Sequence, residues 1–112
     1  MDDTTPLQHQ RCMTCTNGMP ALSDIEAQRL QAVLPEWQRE GQTIVRTFKF
    51  KDHYETLAFV NALAWISHRT DHHPDLAVGY NQCRVSYWTH AANGLSINDF
   101  ICAAKADALL AI

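Results

Sequence analysis

The sequence predicts an α+β fold: a four-stranded antiparallel sheet with three helices packed on one face, in the order α-β-β-α-β-β-α. Three observations carry this. Apolar residues recur at helical spacing in three segments, each opened by a capping signature at Ser23, Asp52 or Ser96. Stretches rich in β-branched and aromatic residues lie between the helices, broken by Gly41-Gln42 and by Gly79-Tyr80-Asn81-Gln82. At 112 residues the chain has the length of one domain. Residues 1–20 are polar and turn-rich, ending in Asn17-Gly18 and Pro20, and read as a loosely ordered arm ahead of a single domain over 21–112.

Each element has its own reason. Ser23 and Glu26 form a capping box, and Ala27, Leu30, Val33 and Leu34 share one side of a helix that Pro35 stops. Trp37 begins an extended stretch that turns at Gly41-Gln42 into Thr43 to Phe50. There Ile44, Phe48 and Phe50 keep a period of two, and Arg46 interrupts the face. Asp52 and Glu55 open a second helix that runs to about His68 and is apolar around most of its circumference. An ordinary surface helix needs only a stripe. One face is therefore expected on the sheet and another against a second subunit, as a homodimer or homotetramer. Leu76 to Tyr80 and Cys83 to His90 read as paired strands. Asn93-Gly94 turns the chain, and Ser96 with Asp99 caps a last helix carrying Ile97, Phe100, Ile101, Ala104 and Ala108.

Composition excludes several functions. Net charge is −3 and no Lys/Arg block occurs, which speaks against nucleic acid. No apolar run approaches the ~20 residues that span a bilayer. The start, Met1-Asp2-Asp3-Thr4-Thr5-Pro6, lacks the pattern of a secretory signal, so a cytoplasmic protein is expected. Cys12 and Cys15 form a single C-x-x-C, which is half a zinc site at most, or a redox pair. Cys83 and Cys102 read as small buried hydrophobes.

The candidate chemistry lies at Asp71-His72-His73-Pro74 and at His90. Histidine exchanges protons near neutral pH. With the hairpin tip at Tyr80-Asn81, the pairing arithmetic sets His90 opposite Asp71 and Trp88 opposite His73. All three histidines then reach one end of the hairpin. Pro74 holds His73 extended. Asp71 is placed to accept an imidazole N–H and fix its tautomer, and Asp99 to serve the helix cap. Trp88, Arg84 and Ser86 share a strand face with His90, so Trp88 can line a pocket. His9, His53 and His68 read as surface or helix-end residues. Three imidazoles also suit a zinc hydrolase. However, the adjacent residues His72 and His73 point oppositely when extended, which favours metal-free acid–base work.

These residues resemble the pterin-4a-carbinolamine dehydratase family. The resembling pattern is His68, then His72-His73-Pro74, Tyr80, His90 and Asp99 in order, with Trp37, Phe48-Lys49-Phe50 and Phe59-Val60-Asn61 beside it. It covers residues 22 to 107 or so. It departs from the family at His68, where an acidic residue is common, and the Cys12-Cys15 arm lies outside it. The resemblance implies dehydration of a 4a-hydroxytetrahydropterin to a quinonoid dihydropterin, recycling the cofactor of aromatic amino acid hydroxylases. It implies a pterin pocket of His72, His73 and His90, with His72 and His90 exchanging protons and His73 binding substrate. Asp71, Pro74, Trp88 and Asp99 would support the site, and no cofactor would be required. The alternative is a non-catalytic binding or dimerisation module, since some relatives have lost catalysis, but retention of all three histidines argues against a purely structural role.

Overall fold

The computed structural model describes residues 5–110; the outermost tips of the expected arm and domain, 1–4 and 111–112, lie outside the described residues. Three helices, α1 (Asp24–Gln31), α2 (His53–Thr70) and α3 (Ile97–Ala108), alternate with strands β1 (Gln38–Glu40), β2 (Thr43–Lys49), β3 (Asp75–Val78) and β4 (Gln82–Tyr87). The strands form one antiparallel sheet in the order β1-β2-β4-β3, which gives the expected α+β architecture.

The core forms where one face of the sheet meets the helices. Ile44 and Phe48 on β2, and Cys83, Val85 and Tyr87 on β4, point into it with Trp37, Phe59, Leu63, Phe100 and Ala103. Phe59 packs against Phe48 with ring centroids 4.6 Å apart. Arg46, which breaks the apolar alternation of β2, has a built-in partner. Its guanidinium lies 4.3 Å from the Phe48 ring centre and donates to Asp107 Oδ1 on α3 at 2.7 Å. The buried Trp37 indole donates to the same oxygen at 2.9 Å. One carboxylate thus ties the approach to β1, the middle of β2 and the end of α3 together.

The caps form as their residues dictate. Ser23 and Glu26 satisfy each other's backbone N–H groups at 3.0 and 3.2 Å, and hydrogen bonding from the Ser23 backbone N–H, then from its side chain, holds the Glu26 carboxyl below its ordinary pKa. Asp52 accepts from Glu55 N, while the Glu55 carboxylate reaches back to Lys51 N rather than to the cap residue. Gly94 permits a close approach: a Cβ there would sit 2.9 Å from Ala21 Cβ. That contact brings the loop before α3 against the entry to α1.

Several element ends, and the placement of the arm, differ from expectation. After Gln31 the chain tightens into i→i+3 turns, Val33 N to Leu30 O and Leu34 N to Gln31 O. The tighter winding turns Val33 out to solvent while Leu34 stays buried. Helix α2 continues two residues beyond His68, to Thr70. Strand β4 stops at Tyr87 rather than His90, because Thr89 bridges to Gly94 and His90 enters a short 3-10 turn, His90–Ala92. The arm is docked along α3 rather than loose. Lys105 Nζ donates to Gln8 O at 2.8 Å, and Asn98 exchanges hydrogen bonds with both backbone groups of Met13, each at 2.8 Å. On α2, Tyr54, Leu57 and Trp65 remain exposed in the single chain.

Candidate active site

Helix α2 ends where the site begins. Asp71 takes a left-handed conformation (φ 54°, ψ 38°), and its N–H caps the helix at Ser67 O. His72 N also reaches Ser67 O, at 3.3 Å. This reversal aims the His72 ring inward across the sheet edge, where it lies parallel to the Tyr87 ring with centroids 6.0 Å apart. His72 Nε2 then meets Asp99 Oδ1 at 2.6 Å, with the imidazole 10% exposed and the carboxylate fully buried.

Asp99 is held from its other oxygen. Oδ2 accepts from Thr89 Oγ1 at 2.8 Å and from Ser96 N at 2.9 Å. The Thr89 and Ser96 hydroxyls lie 2.7 Å apart. Because Thr89 gives its proton to Asp99, Ser96 supplies the proton of that second bond. The network fixes the carboxylate, and the carboxylate selects the His72 tautomer with hydrogen on Nε2, leaving the Nδ1 lone pair as the ring's basic position.

The remaining candidates are placed differently. His73 is exposed, and its Nδ1 lies 3.5 Å from Pro74 O. His90 is exposed in its short turn, its ring against half-buried Trp88 at 3.9 Å between centroids. The hairpin keeps the expected register through Asp75↔Ser86, and there the β3–β4 pairing ends. Pro74 has no N–H to extend the ladder, and Asp71 is committed to the helix cap. The expected pairings His73 with Trp88 and Asp71 with His90 are therefore not made. Asp71, expected to orient an imidazole, is exposed, and Asp99 does that work. Sequence reasoning missed Thr89 and Tyr87. The alternation Cys83, Val85, Tyr87 on β4 was the signal that could have placed Tyr87 on the core face.

Around this pair lies a set of groups with shifted protonation. The Tyr87 hydroxyl is buried without a hydrogen-bond partner among the described residues, and burial first, then neighbouring Cys102, Cys12 and Asp99, pushes its pKa up. Cys12 and Cys102 stand with sulfurs 3.6 Å apart, so Cys12 neighbours Cys102, while the Cys15 sulfur accepts from Asn98 Nδ2. Among the described residues no cluster of three or more His, Cys, Asp or Glu side chains is arranged to hold a metal ion. Two cavities, of about 570 and 520 Å³, flank the arm, and none of the three candidate histidines lines either.

The profile of the pterin 4 alpha carbinolamine dehydratase family matches residues 20–109, most of the chain. The chain belongs to that family. A relative from Nitrosomonas eutropha, which carries the provisional name pterin-4-alpha-carbinolamine dehydratase, is 55% identical over 111 residues, covering 98% of each chain. Among solved structures, a transcriptional coactivator/pterin dehydratase from Brucella melitensis is 32% identical with a TM-score of 0.77, covering 80% of this chain and 97% of that one. A pterin dehydratase-like protein described as a RuBisCO assembly factor in the alpha-carboxysome is 28% identical with a TM-score of 0.54, covering 65% and 84%. The family profile's match contains His72, His73, His90 and Asp99 and leaves Cys12 and Cys15 outside it.

Proposed function

We propose that this chain is a hydro-lyase that converts a 4a-hydroxytetrahydropterin to a quinonoid dihydropterin and water, in the recycling of a tetrahydropterin cofactor. Family membership supports the substrate class. The observation that carries catalysis is the 2.6 Å contact between His72 and the buried, doubly anchored Asp99. A side chain kept only for packing needs no such orienting carboxylate.

The reaction breaks the C4a–O bond and the N5–H bond and forms the C4a=N5 double bond. In this reading His72 takes the N5 proton on Nδ1, and the resulting cation is stabilised by the carboxylate on its far side. His90 in its protonated form delivers a proton to the departing hydroxyl, which leaves as water. Exposed His73 contacts the substrate, and Trp88 offers a flat surface beside His90. General acid–base assistance of this kind is worth about 10²–10⁴ in rate. No metal or organic cofactor takes part.

A stopped assay on 4a-hydroxytetrahydropterin tests the reading. The wild-type protein should accelerate dehydration well above the spontaneous rate, and a chelator should leave turnover unchanged. A folded protein with no acceleration would place the chain among binding modules of this fold. Turnover that chelation abolishes and zinc restores would move it to metal chemistry.

A further inference from the structure

The pairing of Cys12 with Cys102 is unexplained by the His72–Asp99 site, and the C-x-x-C spacing does not anticipate it. Cys102 is fully buried on α3, one turn after Asp99, and its thiol contacts Thr70 Oγ1 at 3.6 Å. Cys12 comes to it from the arm, which the Asn98–Met13 and Lys105–Gln8 hydrogen bonds hold along α3. The sulfurs are 3.6 Å apart, and a disulfide needs them about 1.5 Å closer, a shift within reach of a loop segment. Half-buried Cys12 also lines the cavity of about 520 Å³, together with Arg11, Trp65, Arg69, Thr70 and Lys105. A small oxidant can enter there, and nearby Lys105 favours a thiolate.

We propose that Cys12 and Cys102 form a peroxide-oxidisable dithiol whose disulfide pins the arm to α3 directly behind His72 and Asp99. Cys12 is the attacking sulfur. The hydrogen bond from Cys102 lowers its pKa to about 7; burial opposes this, His72 and Lys105 assist, and Asp99 opposes. Cys102 is the resolving sulfur: its bond with Cys12 and its burial push its own pKa up. The Cys12 thiolate attacks one oxygen of hydrogen peroxide, breaking the O–O bond. Hydroxide leaves, takes a proton and becomes water, and Cys12 is oxidised to sulfenic acid. Cys102 loses its proton and attacks the sulfenic sulfur, expelling a second hydroxide that the proton converts to water. Two thiols and one peroxide thus give one disulfide and two waters.

The test is peptide mapping by mass spectrometry of the full-length reduced protein after limiting peroxide, across pH. The expected product lacks two hydrogens, links the Cys12 and Cys102 peptides, and reverts with dithiothreitol. Its formation should quicken as pH rises through about 7, where Cys12 becomes thiolate. Cys12→Ser should abolish the link and Cys15→Ser should preserve it. Cys102→Ser should halt at a Cys12 sulfenic acid that dimedone traps. If that core variant does not fold, the Cys12→Ser and Cys15→Ser pair still decides. A Cys12–Cys15 link, a link between two chains, or no link in the folded wild type would each overturn the proposal.

Discussion

One carboxylate, Asp99, holds both the start of α3 and the ring of His72. An Asn at 99 can still accept at one position, but it replaces one anionic acceptor by an N–H donor aimed at either His72 or Thr89. Asp99→Asn is therefore expected to lower kcat for pterin dehydration by at least tenfold, a part of the ~10²–10⁴ that acid–base assistance supplies. It should also lower stability by roughly 1–3 kcal/mol through the unmatched buried donor. Steady-state kinetics with urea unfolding of the same sample separates the two effects: a stability loss with unchanged kcat would reduce Asp99 to a cap. The spacing Ser96-x-x-Asp99 is local and marked Asp99 as a cap, and only the family resemblance marked it as a support of the site. Its bond to His72 joins residues 27 positions apart across two elements, which no periodicity reports.

At the scale of elements, helix starts and the order of helices and strands along the chain were legible because capping boxes, turn residues and alternation are local signals. The ends were not. β4 was expected to reach His90, and it stops at Tyr87 where Thr89 finds a new partner in Gly94. The same Gly94 approaches Ala21 closely, a tertiary contact. Arg46 looked like a flaw in β2 until α3 supplied Asp107. Asp107→Ala is expected to strand the buried Trp37 N–H and the Arg46 guanidinium together, costing roughly 1–3 kcal/mol. The midpoint of urea unfolding should fall accordingly, with dehydration kinetics unaltered. An unchanged midpoint would show that this tie between the sheet and α3 contributes nothing net.

For the whole molecule, the sheet acts as a frame that brings the end of α2 against the start of α3. The arm, which composition marks only as polar, closes over α3 through contacts spanning 85 or more positions. The histidines fall into two environments: His72 inside, gripped by Asp99, and His73 and His90 at the surface. This asymmetry makes His72 the residue on which the proposed chemistry depends most. The decisive measurement is the rate of 4a-hydroxytetrahydropterin dehydration by His72→Ala against wild type, with the fold of each verified by circular dichroism. The account predicts a fall of about 10²–10⁴-fold in the variant. A folded His72→Ala protein that dehydrates the pterin as fast as wild type would contradict it.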